Sequence, residues 1–239
     1  MLEAAFWGLV TAGSLWIGAA LAVFTRPASR LIGLAMAFGS GALIAAVAYE
    51  LVFEAFETDP AVATAGFAVG ALVFYGGDWA IDRRGGHGRK SASGQHQLAG
   101  RAHAIVLGTI LDGIPESFVL GASLQEGSGV TLALVVGVFV SNIPESLSAT
   151  SGLRAAGWTT GRLFALWSAV VAASVLAAAA GWLLLDLMPT GGGAFALAFA
   201  GGALLVMLAD TLIPEAFELG GREVGLLTAL GFALGFALS

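Results

Sequence analysis

Apolar residues fall in eight blocks along the chain, at about 4–24, 31–53, 61–82, 102–124, 130–150, 162–185, 192–214 and 222–238, with short polar breaks between them. Each block is roughly 17 to 25 residues, the length a helix needs to cross ~30 Å of hydrocarbon. The pattern predicts an all-α polytopic membrane protein, a single transmembrane domain over 1–239 with eight transmembrane helices. Asp59-Pro60 closes the second block, because the residue before a proline is pushed out of the helical region. The glycines Gly191–Gly193 open the seventh, and Gln125 to Gly129 form a turn between the fourth and fifth. The longest polar stretch, 83–101, mixes Arg, Lys, Gly and Ser with His87 and His96 and predicts a flexible loop. Met1 leads straight into apolar sequence without a basic stretch or a small-residue cleavage site, which predicts a retained helix rather than a cleaved signal.

Composition agrees with the pattern: of 239 residues, 58% are hydrophobic and 11% charged, and mean hydropathy is +0.90. The absence of cysteine removes disulfides, thiolate metal sites and catalytic thiols together. All ten Lys and Arg lie in the breaks after blocks 1, 3, 5 and 7, whereas Glu3, Asp59, Glu126 and Asp186 lie at the opposite ends. By the positive-inside rule the basic loops are cytoplasmic, which predicts an inner-membrane, multi-pass protein with both termini outside. The net charge of −6 points to cation handling and excludes nucleic acid as a partner; the lipid bilayer is the surrounding one.

The sequence also repeats itself. Sliding Gly41–Glu57 onto Gly202–Glu218 pairs Gly41 with Gly202, Ala48 with Ala209, Leu51 with Leu212, Glu54 with Glu215 and Glu57 with Glu218. A second pair is Asp112-Gly113-Ile114-Pro115-Glu116-Ser117 and Ser141-Asn142-Ile143-Pro144-Glu145-Ser146. With the alternating orientation above, members of each pair cross in opposite directions. An inverted repeat around a polar site near mid-membrane is a signature of secondary transporters.

Chemistry concentrates in that second pair. An ionisable group inside an apolar block is expensive and marks a functional site by default. On a helix Asp112 and Glu116 share a face, as do Asn142 and Glu145. Pro115 and Pro144 cannot donate to the carbonyls of Leu111 and Val140, which frees two oxygens at the same depth. Three carboxylates and an amide with no Lys or Arg at that depth suit a cation. The competing readings are a polar network that glues two helices, and a proton relay in a proton-coupled carrier of a small organic substrate. A non-transporting membrane metal sensor is a third. Glu50 and Glu54 form an acidic entrance in one reading and solvated helix ends in the other, and the same choice applies to Asp210 and Glu215 on the inner side. His103, nine residues before Asp112, is a candidate exit ligand. No Ser/His or His-Glu-x-x-His arrangement occurs at depth, so the protein is not expected to be an enzyme, and no prosthetic group is implied.

These motifs resemble the Zrt/Irt-like protein (ZIP) family of divalent metal transporters, whose fourth and fifth helices carry His-Asn-x-Pro-Glu-Gly. The end of the seventh block from Asp210 to Glu215, the Gly225–Phe236 run and the histidine-bearing loop after the third block are similar too. The resemblance implies a ZIP-like 3+2+3 arrangement and a divalent metal ion as cargo. Residue by residue, it implies that Asp112 stands at the histidine of the fourth helix, that Glu116 and Glu145 keep the glutamates, that Asn142 keeps the asparagine and that Ser141 replaces the other histidine. Because the sixth block lacks a carboxylate, a single-metal site is implied. Its all-oxygen donor set suits Mn²⁺ or Fe²⁺, or Mg²⁺ or Ca²⁺, better than Zn²⁺, with zinc still a candidate. The family pattern further implies an elevator-type mechanism, in which helices 1, 4, 5 and 6 move against a dimerising scaffold of helices 2, 3, 7 and 8, and hence a homodimer.

Overall fold

The computed structural model describes residues 1–25, 27–81, 83, 100–125, 131–188 and 192–239, with side chains at 100–104 and 125 excepted. The loop expected at 83–101 and the turn expected at 125–129 therefore lie almost wholly outside the described residues. Among the described residues there is helix and no strand. Helix α1 is Leu2–Phe24, α2 is Ser29–Ala46, a π-helical turn occupies Val47–Phe53, and α3 is Glu54–Thr58. Then come α4 (Pro60–Ile81), α5 (Gly100–Gln125), α6 (Leu132–Ala155) and α7 (Thr160–Leu187). Helix α8 (Gly192–Met207), a second π turn (Leu208–Leu212), α9 (Ile213–Gly220), a 3₁₀ turn (Gly221–Glu223) and α10 (Val224–Leu238) complete the chain.

Seven helical runs among the described residues are long and apolar enough to cross a membrane. Sequence patterning counted eight, and the difference lies at the C-terminal end, where 192–214 and 222–238 belong to one run, Gly192–Leu238, of 47 residues. A straight helix of that length would reach ~70 Å, over twice the hydrocarbon thickness. The run folds back at Gly221 instead, whose φ of 73° and ψ of −147° lie in a region open essentially to glycine alone. On one side of the bend Gly201 of α8 lies against Val47 and Val52; on the other, Gly235 of α10 lies against Ala42 and Ala45, and Gly220 at the bend touches Gly33. The two arms are thus antiparallel and both rest on the second run.

The other boundary shift is in α6, which continues past the expected end at 150 to Ala155. Its last turn is polar in sequence but well held. Nη1 of Arg154 donates to Ala22 O and Val23 O, each at 2.9 Å, placing a cation on the carbonyl end of α1. Gly157 (φ 85°) then closes the helix, with its N–H on Arg154 O (2.9 Å) and that of Trp158 on Leu153 O (3.1 Å), a Schellman arrangement.

Helices α1, α5, α6 and α7 pack on one another, and α2, α4, α8, α9 and α10 form a second group; the groups meet where α2 lies on α6 and α5 on α8. Within groups the tightest contacts use glycine on both helices. Gly70 lies against Phe199 and Gly202 against Phe67 in the α4–α8 pair, Gly121 against Ala178 and Gly181 against Phe118 in the α5–α7 pair, and Gly41 against Thr228 and Gly231 against Phe38 in the α2–α10 pair. Lipid offers no hydrophobic drive for such contacts, so backbone approach and dispersion hold the pairs together.

The internal repeat has a structural counterpart. Val47 and Leu208, which the alignment superposes, are each the first residue of a π turn. The two copies also run antiparallel, since Gly201 meets Val47–Val52 while Ala216–Gly220 meet Gly33 at the other end of α2. Single π turns inside α-helices are frequent at functional sites.

Candidate cation site

Both motifs stay helical through their prolines, Pro115 in α5 and Pro144 in α6. The polar residues around them are withdrawn from the surface: Asp112 is 0% exposed, Glu116 1%, Glu145 2%, Ser141 1% and Asn142 5%. Helical spacing sorts them into two stripes. On α5 the stripe is Thr109, Asp112 and Glu116; on α6 it is Ser141, Glu145 and Ser148, all buried.

Small residues let neighbouring helices close over α6. A methyl group at Gly18 of α1 would overlap Ile143 O and Ser146 Oγ, and one at Gly39 of α2 would press on the Ser141 backbone. Asn142 Nδ2 donates to Thr11 O of α1 (3.3 Å) and Ser141 Oγ to Val138 O (3.0 Å). The α5 motif is backed by α7, with Ser174 Oγ 3.7 Å from where a side chain on Gly113 would begin.

Glu215 joins the site from the second helical group. It is 6% exposed, and Ser148 Oγ donates to its Oε1, tying the end of the α6 stripe to α9 across the seam. Sequence patterning left this residue between a solvated helix end and an inner ligand; the structure buries it. Removing the hydroxyl takes a donor from a buried carboxylate, so Ser148→Ala is expected to lower stability by about 1–3 kcal/mol. Thermal unfolding in detergent checks this, and replacing both partners by apolar residues of similar size (Ser148→Ala with Glu215→Met) should recover most of the loss.

Among the described residues no Lys, Arg or His is buried, and no group of three or more His, Asp or Glu side chains is placed to hold a metal ion. The structure thus buries each of the expected residues without drawing Asp112, Glu116 and Glu145 into one cage. What it does supply is neutral oxygen. The hydroxyls of Ser40 and Thr109 are buried with no hydrogen-bond partner, whereas Thr11, Ser14, Ser123, Ser146 and Ser151 all donate to carbonyls one turn back.

The chain matches no family model and no curated protein. Roles for its residues therefore rest on placement alone.

Glu50 lies in the first π turn and Asp210 in the second; Glu50 and Glu54 are half-buried and Asp210 is exposed. All three lie nearer the surface than the motif carboxylates. The side chain of His103 lies outside the described residues. Sequence reasoning missed Thr109 and Ser148, although each is three residues from a motif carboxylate and on its stripe. It also left unused that Ile213-Pro214-Glu215 is a third copy of the Ile-Pro-Glu unit, a signal that would have grouped Glu215 with Glu116 and Glu145.

Proposed function

We propose that this protein carries a divalent cation across a membrane, with Asp112, Glu116 and Glu145 as the anionic ligands and Ser141 and Asn142 as neutral ones. One observation carries the reading: carboxylates on α5, α6 and α9 are buried in a membrane-type bundle beside buried serine, threonine and asparagine oxygens. An ionisable group at membrane depth is expensive to keep charged, so such groups mark a path for protons or for a positive ligand. Because no three described carboxylates cluster, a cation would be held by fewer of them at a time, with hydroxyl and proline-released carbonyl oxygens completing its shell. That donor set favours Mn²⁺ or Fe²⁺ over Zn²⁺ as cargo, and it binds weakly enough for release.

Counting the arms either side of Gly221 separately gives eight crossings in a 3+2+3 inverted repeat, the ZIP-like plan. In this reading the basic loops and the end bearing Arg154 face the cytoplasm, and both termini face outside. Ions enter past Glu50 and Glu54 and leave past Glu215, Asp210 and His103. The group α1, α5, α6 and α7 moves against the group built on α2, α4 and α8–α10, and the latter carries the homodimer contact. The test is uptake of Mn²⁺, Fe²⁺, Zn²⁺, Mg²⁺ and Ca²⁺ into proteoliposomes, wild type beside Asp112→Ala. At least one ion should enter, and the variant should be about 10–100-fold slower. Metal binding without uptake would make the protein a sensor; proton-linked uptake of an organic solute with no metal binding would overturn the reading.

A further inference from the structure

The basic end of the bundle holds a second site whose lining contains none of the buried acids. A polar cleft of ≈ 400 Å³ opens between the ends of α1 and α6 and the start of α2, lined by Ala22, Pro27, Ser29, Ile32, Ser151 and Arg154. Two hydrogen bonds from Nη1 of Arg154, to Ala22 O and Val23 O, hold its guanidinium there. Among the described residues no carboxylate lines the cleft, and the other N–H groups of the guanidinium have no acceptor. Pro27 and Ile32 also line a second space, an apolar groove of ≈ 260 Å³ that runs between α1, α2 and α6 past Leu21 and Ala35 to Pro144. Its hydroxyl, that of Thr25, is turned back onto Leu21 O at 2.7 Å.

We propose that the cleft and groove together bind one anionic phospholipid, with its phosphodiester on the Arg154 guanidinium and an acyl chain in the groove. Charge and shape select this occupant jointly. Free phosphate would use the cleft and gain nothing from the groove, a neutral lipid would use the groove and leave the guanidinium unmatched, and only an anionic amphiphile fits both. Basic pockets between membrane helices suit such headgroups, and an arginine near the surface is worth about a fivefold preference for anionic lipid. The lipid would wedge between α2 and the α1–α6 pair, astride the seam between the two helical groups.

Delipidated protein in neutral detergent, offered phosphatidylglycerol, phosphatidylcholine or inorganic phosphate, tests this by native mass spectrometry of retained lipid and by thermal shift. Wild type should retain phosphatidylglycerol about fivefold better than phosphatidylcholine and ignore phosphate. Arg154→Gln should erase the preference. If loss of the tie to α1 unfolds that variant, Ala35→Phe decides, because it fills the groove while leaving Arg154 in place, and it should abolish retention of phosphatidylglycerol. Equal retention of the two lipids by wild type, displacement by inorganic phosphate, or full retention by Ala35→Phe would each overturn the proposal.

Discussion

Replacing Glu116 or Glu145 by glutamine is expected to remove metal binding and leave the helices intact. Both carboxylates are buried, so the amide keeps the volume and half the oxygen acceptors and deletes the charge. A ligand at a hundred times its Kd stabilises a protein by about 2.7 kcal/mol. Wild type should therefore gain stability of that size with metal, read as a rise in unfolding temperature, and each variant little or none. Without metal the order reverses, since neutralising a buried charge removes a desolvation penalty and the variants should be as stable as wild type or more so. A metal-dependent shift that survives in both variants would refute the cation site, and with it the distinction from a proton relay.

The second large effect falls on Gly41 and Gly202, equivalent positions in the repeat. A methyl on Gly41 would enter the space of Thr228 O, and one on Gly202 that of Phe67 O. Backbone cannot give way as a flexible side chain can, so each Gly→Ala change is expected to cost about 3 kcal/mol or more. Gly76 is the control, with nothing within 4 Å of an added Cβ, and Gly76→Ala should gain up to ~1 kcal/mol from helix propensity. Unfolding temperatures in one detergent compare the three. Equal losses would mean that the glycines act through flexibility rather than close approach.

Much of this was legible in the chain, for identifiable reasons. Hydrophobic block length located the helices because no water is present at depth to satisfy an open backbone. The two Ile-Pro-Glu units located the buried acids because an acid in an apolar block has few other reasons to be there. Three features were not legible. The polar last turn of α6 depends on Arg154 reaching the end of α1, a contact between residues over 130 apart. A reversal between the last two blocks is in the pattern, but its place at Gly221 depends on one backbone angle. The third Ile-Pro-Glu unit signals the burial of Glu215, but its partner Ser148 arrives from a different helix, and that pairing no local pattern encodes.

The bend at Gly221 has a mechanical corollary. With three residues between α9 and α10 there is no slack, so a push on one arm is delivered undiminished to the other. Since α10 is also clamped to α2 through Gly41 and Gly231, the C-terminal hairpin and the second helix form a strut. Whatever rearranges in this molecule has to pivot around it.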